Sequence, residues 1–426
     1  MKRVVILCVW LFSVVAGHAQ LSLDECRRLA RENYPEIRQY DLVHQTEQYN
    51  LSNAARAWIP QLAFSAQATW QTDAPNFPKE LTGMLAQQGL EIPGLRKDQY
   101  KVALELNQTI WDGGKSVADK RIARAEAAEQ KTMTDVDLYE LEGRVDDLYF
   151  GILLLDERIA QTNLTLNLLR SNLEKVRALQ RNGVAMQSDA DVLEAELLSV
   201  GQQLIQFESS CDSYRRMLGI FIGQKVGDRK LQRPSAVQPL SGESARPELA
   251  MFAAKIDRLT AQEKMVKSSS MPRLGFFAQG YYGYPGLDYM QSMMNSDWSW
   301  NAMLGVKLSW NFGAYYTQKN NLNKLRISRQ QVEVQRDVFL FNMNLQAAQE
   351  NGDIARLRKA IADDDRIVAL RRSVREAAES KLRNGIIDTH DLLSKITDES
   401  TASMARSMRE IELLKAIYEY KHTINR

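Results

Sequence analysis

Long stretches of this 426-residue sequence lack the residues that end helices. No proline occurs in residues 94–233 or 286–426, and glycine is rare between Lys115 and Asn182 and between Ala314 and Asn384. Because proline and glycine are the poorest helix formers, their absence predicts two very long helices, over residues 115–180 and 314–382. At about 1.5 Å per residue, each would be about 100 Å long, which suits a rod that spans a gap.

Cysteine and histidine are also scarce. Of three cysteines, only Cys26 and Cys211 follow the N-terminal segment, too few for a disulfide framework, and they are candidate unpaired core residues. The four histidines lie far apart, with no cysteine or acid at metal-ligand spacing. No activated nucleophile or acid pair is visible. The sequence therefore predicts no enzyme activity, no cofactor and no metal site.

Apolar runs are short. Residues 1–19 read as a signal peptide, with Lys2 and Arg3 before a 13-residue apolar run and a small-residue cleavage site. After residue 20, no apolar run reaches the length of about 18 residues that indicates a membrane-spanning helix. Removing Lys2 and Arg3 takes the formal charge from +2 to 2 − 2 = 0, so the charge gives no reason to expect nucleic-acid binding.

What the sequence does contain is an internal duplication. Two landmarks recur about half a chain apart: Pro35-Glu36 as Pro247-Glu248, and Arg181-Asn182-Gly183 as Arg383-Asn384-Gly385. Such a long period indicates a duplicated supersecondary unit, with a first repeat over residues 20–235 and a second over 236–426. The predicted elements of the first repeat are helices, strands over about 61–71 and 99–111, and a helical hairpin over about 114–220. Those of the second are a helix over about 246–270, strands over about 273–284 and 298–311, and a hairpin over about 314–424.

The four strands alternate between apolar and polar residues. The last is the clearest, with Trp300, Leu304 and Val306 on one side and Asn301 and Lys307 on the other. Aromatic residues at both ends predict the girdles of an outer-membrane β-barrel: Trp70, Tyr100, Trp111, Trp298, Trp300 and Trp310. A soluble sandwich with one buried face is the alternative, but it gives no reason for tryptophan at both strand ends.

Four strands cannot close a barrel on their own. An open sheet edge in lipid leaves backbone groups unpaired, so other copies of the chain must complete it. Two copies would give eight strands and three would give 12, and only the larger barrel leaves an open lumen. The connections over residues 72–98 and 285–297 are too long for tight periplasmic turns, so we expect them outside the cell.

A known family shares these features. The segments that carry the resemblance are Leu21 to Cys26, Asn33 to Ile37, Pro60 to Leu62, and Trp111 to Gly114, with Gly183 and Gly385 each followed by an aspartate. Together they resemble TolC-type outer-membrane efflux proteins over the whole mature chain. The resemblance implies an α+β homotrimer in which a 12-stranded β-barrel continues into a 12-helix periplasmic α-barrel. It also implies partners: outer-membrane lipid, a periplasmic adaptor and an inner-membrane pump of an efflux or type I secretion system.

The resemblance suggests two sites at the periplasmic end. The hairpin tips should meet the adaptor through Arg181, Asn182, Gly183, Arg383, Asn384 and Gly385. In the family, aspartates six and nine residues after the second tip glycine narrow the mouth. Here Asp391 occupies the first position, but Ser394 occupies the second, and the candidate gate set is Asp391, Asp388, Asp189 and Asp191.

Several readings remain open at this stage. Any of these aspartates could instead cap the helix that follows its turn. The junction Trp310 to Ala314 keeps one glycine where the first copy has Gly113 and Gly114, so it is expected to turn differently. Met290, Met293 and Met294 in the second loop fit loop packing better than copper handling. The alternative function is a soluble periplasmic coiled-coil adaptor or structural protein, and nothing in the sequence names the cargo.

Overall fold

The structure, a computed structural model, describes residues 20–89, 92–235 and 244–425. The predicted signal peptide lies outside these residues. The helices are α1 Leu23–Asn33, a 3-10 turn Pro35–Arg38, α2 Gln39–Arg56, α3 Lys79–Gln87, α4 Lys115–Arg181, α5 Gln187–Ile222, α6 Pro247–Ser268, α7 Tyr289–Met294, α8 Ala314–Arg383 and α9 Thr389–Ile424. The strands are β1 Gln61–Trp70, β2 Asp98–Trp111, β3 Arg273–Tyr284 and β4 Ser299–Ser309. The predicted fold class, long helices with a small antiparallel sheet, is confirmed.

The two longest helices run without interruption. Helix α4 has 67 residues and α8 has 70, and each leads through a short tip into a helix of 36 residues. The glycines inside α4 mark close packing: a Cβ at Gly151 would lie 2.5 Å from the Tyr214 ring. Across the described part of the chain, no helix is long and apolar enough to cross a membrane.

The strands form one antiparallel sheet in the order β1-β2-β3-β4. Its register places most of the apolar residues of the four strands on one face: Leu104 pairs with Phe64 and with Gly280, and Ala278 pairs with Leu304. The polar residues share the other face, where Glu105 pairs with Gln279. The period-2 alternation of each strand therefore becomes one continuous apolar surface.

Two irregularities of the strand pattern have structural causes. A β-bulge between Thr109 and Trp111 shifts the register by one residue, so Trp111 pairs with Leu274 on the apolar face. Phe277 lies on the polar face, opposite Gly305, where a Cβ would come within 2.9 Å of its ring. The glycine therefore makes room for an aromatic ring on an otherwise polar surface.

The connections over 72–98 and 285–297 contain two short helices, α3 and α7, which the sequence pattern did not predict. Met293 of α7 packs against Ala74, Leu95 and Tyr284, so it is a packing residue of the paired loops. The Tyr284 hydroxyl accepts from the Arg96 amide at 2.9 Å and donates to the Ser292 carbonyl at 3.1 Å. These bonds join the two loops at one end of the sheet.

The chain divides into two compact units that do not follow the sequence repeats. Of the described residues, one unit contains 20–39, 132–235, 244–250 and 336–425, and the other contains 40–89, 92–131 and 251–335. Each unit therefore takes segments from both repeats. The first has an apolar core centred on α4, where Leu138, Leu141 and Tyr149 are fully buried.

Candidate functional site

The apolar face of the sheet is largely exposed, most of all on the outer strands β1 and β4. Phe64 has 72% of its surface accessible, Leu304 76% and Trp300 83%. Burial of apolar surface contributes about 25 cal/mol per Å², so a continuous apolar face of this size marks an interaction surface. Apart from Asp98 at the start of β2, the charged strand residues all lie on the opposite, polar face.

Aromatic residues concentrate at the two ends of this face. At the loop end, Trp298 stacks on Tyr100 with ring centroids 5.7 Å apart, and Trp300 lies 5.0 Å from Tyr282. At the helix end, Trp310 donates from Nε1 to the Ser270 carbonyl at 3.0 Å. Ten residues separate Trp300 from Trp310, about 34 Å along an extended strand. A tilt of about 40° reduces this to about 26 Å, the height of an outer-membrane apolar band.

The predicted girdle residues divide between these ends. Trp70, Tyr100, Trp298 and Trp300 lie at the loop end, and Trp111 and Trp310 at the helix end. All six are exposed. Trp111 joins the apolar face only because of the bulge before it, which no simple alternation predicts.

The two hairpin tips have the same backbone structure. In the first, Val184 N–H donates to the Leu179 carbonyl and Gly183 N–H donates to the Gln180 carbonyl, both at 2.9 Å. In the second, Ile386 N–H donates to Lys381 and Gly385 N–H donates to Leu382, at 2.9 and 3.0 Å. This pair of backbone hydrogen bonds is the Schellman motif, which needs a residue in the left-handed conformation after the helix. Gly183 and Gly385 supply it, with φ of 75° and 70°.

The tips expose apolar side chains that the sequence reading missed. Val184 is 66% exposed, Met186 74% and Ile386 69%, beside the exposed Arg181, Asn182, Arg383 and Asn384. The signal was present, because an aliphatic residue follows the Asn-Gly pair in both repeats. Each tip therefore combines basic and amide groups with a small apolar centre, the composition of a contact surface.

Three of the four candidate gate aspartates have local bonds. The Asp388 carboxylate caps α9 by accepting from the Asp391 amide at 2.8 Å, as the capping alternative anticipates. Asp189 accepts from the Met186 amide at 2.8 Å, and Asp191 accepts from the Gln187 side chain at 2.7 Å. Asp391 is exposed, and its carboxylate makes no hydrogen bond or ion pair within residues 20–89, 92–235 and 244–425. Of the four candidate gate aspartates, Asp391 is therefore the one whose carboxylate is free to contact ions.

A compact layer of helices supports the tips. Leu169, Leu193, Leu392 and Ile396 form a buried cluster contributed by α4, α5 and α9. Beside it, the Arg375 side chain, 12% exposed, makes ion pairs with Glu379 and with Glu399, which is 11% exposed. Burial acts to raise the pKa of Glu379, but its bonds to Arg375 and Lys175 outweigh this and hold the pKa below its ordinary value. The Glu379 carboxylate is therefore ionised at neutral pH.

His422 of α9 is a half-buried imidazole in the same unit. It stacks on Tyr139 with ring centroids 4.2 Å apart, and a Cβ at Gly143 would lie 3.0 Å from its Nε2. Arg246 and the Tyr139 hydroxyl both donate to the His422 carbonyl, at 3.0 and 2.6 Å. Burial, followed by the charges of Arg246 and Arg27, lowers the pKa of His422 to about 4. The ring is neutral at pH 7.

The two cysteines of the described chain, Cys26 and Cys211, are free and buried. Burial raises the pKa of the Cys26 thiol to about 12, so it is unreactive at neutral pH. No group of three or more His, Cys, Asp and Glu residues within the described ranges has an arrangement that could hold a metal ion.

The junctions from strand to long helix differ between repeats. Gly113 and Gly114 both adopt positive φ, 72° and 85°, and the Asp112 carboxylate accepts from the Gly114 and Ser116 amides at 2.9 and 2.6 Å. In the second junction Asn311 accepts from Gly313 at 3.0 Å, and Gly313 is not left-handed. The junctions therefore turn differently, as their glycine content predicts.

Comparison with known proteins agrees with this architecture. Residues 27–223 match the family model described as outer membrane efflux protein. No curated protein sequence matches the chain. Among solved structures, the outer-membrane channel OprN is similar with a TM-score of 0.70 and 14% identity, over 94% of this chain and 89% of that one.

Two further channels show the same similarity of fold. The outer membrane protein VceC of Vibrio cholerae has a TM-score of 0.68 and 15% identity, over 94% of this chain and 95% of its own. The CmeC outer membrane channel of Campylobacter jejuni has a TM-score of 0.65 and 14% identity, over 94% and 85%. Residues 27–223 therefore match the outer membrane efflux protein family, and the chain has the fold of these outer-membrane proteins over 94% of its length. These similarities favour an outer-membrane channel protein over an enzyme or a soluble adaptor.

Proposed function

We propose that three copies of this chain form a conduit through the outer membrane, which passively exports substrates delivered by an inner-membrane pump and a periplasmic adaptor. The sheet carries this proposal. One face is apolar and bounded by aromatic residues at both ends, while the other is polar, as a strand between lipid and an aqueous lumen requires.

The edges of the sheet support assembly from several copies. Strands β1 and β4 are its outermost members, so each presents one unpaired edge to its surroundings. They run in opposite directions, since β1 leads toward the loops and β4 leads away from them. The β4 edge of one copy can therefore pair with the β1 edge of the next and continue the antiparallel order. Three copies give 12 strands, enough to enclose a lumen.

Helix α8 supports the same assembly. Val338, Phe341 and Leu345 are each more than half exposed and form one stripe at helical spacing. Ile367, Leu370 and Val374 repeat the stripe 29 residues later, about eight turns on, and therefore on the same side of the helix. An exposed apolar stripe along a helix is typical of a surface that packs against another helix. A second copy of the chain would bury it.

The periplasmic end carries the partner-binding and gating proposals. The exposed tips around Gly183 and Gly385, with Val184 and Ile386 at their centres, are proposed to contact the adaptor. Three copies of the unpaired Asp391 would form a carboxylate ring at the mouth, which favours cations. Asp388, Asp189 and Asp191 would add to that charge while holding the turns.

The test is reconstitution. In cell fractionation, the protein should be found in outer membranes and require detergent for extraction. After purification, it should conduct ions in planar bilayers. A soluble protein without conductance would overturn the conduit. Asp391→Asn should lower the cation preference and the block by millimolar divalent ions, whereas Asp189→Asn should do less. If only Asp189→Asn changes these properties, the ring lies on the first repeat.

A further inference from the structure

The polar face of the sheet carries an uneven set of charges. Lys101, Arg273 and Lys307 are its cations, and Glu105 is its acid. Lys101 donates to Gln279 at 3.1 Å and lies 4.5 Å from the Tyr281 ring centroid, while Gln279 donates to Glu105. One cation and the acid are therefore joined through Gln279.

Arg273 and Lys307 have no such partner. Both are exposed, and among the residues that the structure describes neither forms an ion pair or a side-chain hydrogen bond. The register places them on adjacent strands two residues apart, since Arg273 pairs with Ser309 and Lys307 pairs with Gly275. Both side chains line a cavity of about 570 Å³ at the helix end of the polar face.

The acids around this cavity are already engaged. Glu105 accepts from Gln279, Asp119 is bonded to Lys115 at 2.7 Å, and the largely buried Asp112 accepts from backbone amides. Among the described residues that line the cavity, the charged side chains without a partner are therefore both cationic, a guanidinium and an ammonium group, which can only donate hydrogen bonds. Such a pair suits phosphate, sulfonate or carboxylate groups.

We propose that Arg273 and Lys307 form a binding site for anionic groups on the lumen side of the sheet, which we call the basic collar. This inference rests on the proposed conduit, because three copies of the chain would place six cations at one level of the lumen. The collar would hold anionic cargo or free polyanions at the inner end of the transmembrane section. The basic collar lies at the end of the transmembrane section that is opposite the loops.

The experiment uses purified full-length protein in planar bilayers, with sodium tripolyphosphate added to one chamber at a time. In 0.15 M KCl the polyanion should reduce the current when added on the loop side. From the tip side, the carboxylates at the mouth should hinder its entry. In 1 M KCl the block should weaken, because the screening length falls from about 8 Å to about 3 Å.

Arg273→Gln with Lys307→Gln should weaken the block at least ten-fold, and Arg273→Lys with Lys307→Arg should retain it. If the double neutral variant fails to assemble, either single variant should weaken the block by an intermediate amount. Lys101→Gln is the matched control, since it removes a positive charge from the same face about 27 Å from the level of Lys307 and about 34 Å from that of Arg273. That variant should keep the block of the wild type.

The outcomes separate the collar from the conduit. Channels that conduct but are not blocked, or are blocked equally with and without the two cations, would overturn the collar and leave the conduit intact. Equal loss of block in Lys101→Gln would also overturn it, because the effect would then be general lumen charge. Absence of any conductance would overturn the conduit and the collar together.

Discussion

The sheet and the hairpin tips reach stability in different ways. At the tips, the backbone groups after each long helix are paired within the chain, and Asp388 and Asp189 cap the helices that follow. The sheet has two unpaired edges and an exposed apolar face. Folding of one chain completes the tips, whereas the proposed conduit requires lipid and other copies of the chain to complete the sheet. Substitutions should therefore act on assembly in the sheet and on local structure at the tips.

The largest expected effect separates the two faces of β4. Leu304→Arg places a charge on the apolar face and should cost about 2–4 kcal/mol near the membrane centre, and so prevent assembly. Met303→Arg, the next residue on the polar face, should be tolerated. Asn301 is a poorer control, because its side chain accepts from the Leu287 amide at 2.7 Å and holds the loop. The yield of heat-resistant oligomer in outer membranes measures both, and equal yields would mean that the faces are misassigned.

A second prediction concerns the layer that supports the tips. Arg375→Met removes the guanidinium that pairs with both Glu379 and Glu399. The two carboxylates, which are largely buried, then lose this ion pair. The expected loss is about 3 kcal/mol in the free energy of unfolding. Arg356→Met is the control on the same helix, because its pair with Asp353 is exposed and should contribute less than about 1 kcal/mol. If denaturant titrations gave similar losses in the free energy of unfolding for both variants, burial would not explain the contribution of the Arg375 ion pairs.

A third prediction uses pH. The pKa of His422 is about 4 in the folded protein against an ordinary 6.5, so between these values the unfolded chain binds a proton that the folded chain does not. Stability should fall as pH drops through this window, by about 2 kcal/mol at pH 5. The positive charges of Arg246 and Arg27 disfavour protonation of the His422 ring, while the negative charges of Glu248 and Asp147 favour it.

His422→Gln should therefore lose less stability between pH 7 and pH 5 than the wild type does. The measurement is the shift of the thermal unfolding midpoint in detergent. The exposed His390 provides the control, because His390→Gln should keep the wild-type slope. An unchanged slope in His422→Gln would show that other groups set the acid sensitivity.

The smallest energetic effect is expected at the tips. Gly385→Val forces a β-branched residue into a left-handed conformation, at a cost of about 1–2 kcal/mol. Oligomers should still form, but efflux in cells should be lost, because the tip surface is distorted. Gly352→Ala, inside α8 with no atom within 4 Å of the added Cβ, should leave efflux unchanged. Normal efflux by Gly385→Val would argue against the tip as the adaptor contact.

Much of this architecture is readable from sequence because its signals are local. Strand alternation, the scarcity of proline and the Asn-Gly pairs predict the fold class without knowledge of distant contacts. The exceptions depend on neighbours in space. The bulge that turns Trp111 outward, the fit of Phe277 over Gly305 and the bonds that fold α7 onto the first loop are set by other segments. The single strands likewise give no sign that Arg273 and Lys307 meet.

The candidate gate shows the same limit. Sequence position puts Asp388 and Asp391 together near the second tip, but only the structure distinguishes a carboxylate that caps α9 from one that makes no hydrogen bond in the described part of the chain. Family position favoured Asp391 for the ring, and its unpaired side chain agrees with that role. The role itself remains a prediction for channel recordings.

The central claim is that a sheet unfinished in one chain is completed by identical neighbours. Native mass spectrometry of protein extracted from outer membranes in detergent tests it most directly. The account predicts particles with three protein chains, and predicts that Leu304→Arg removes them while Met303→Arg does not. Stable membrane-extracted particles with one or two chains would contradict it.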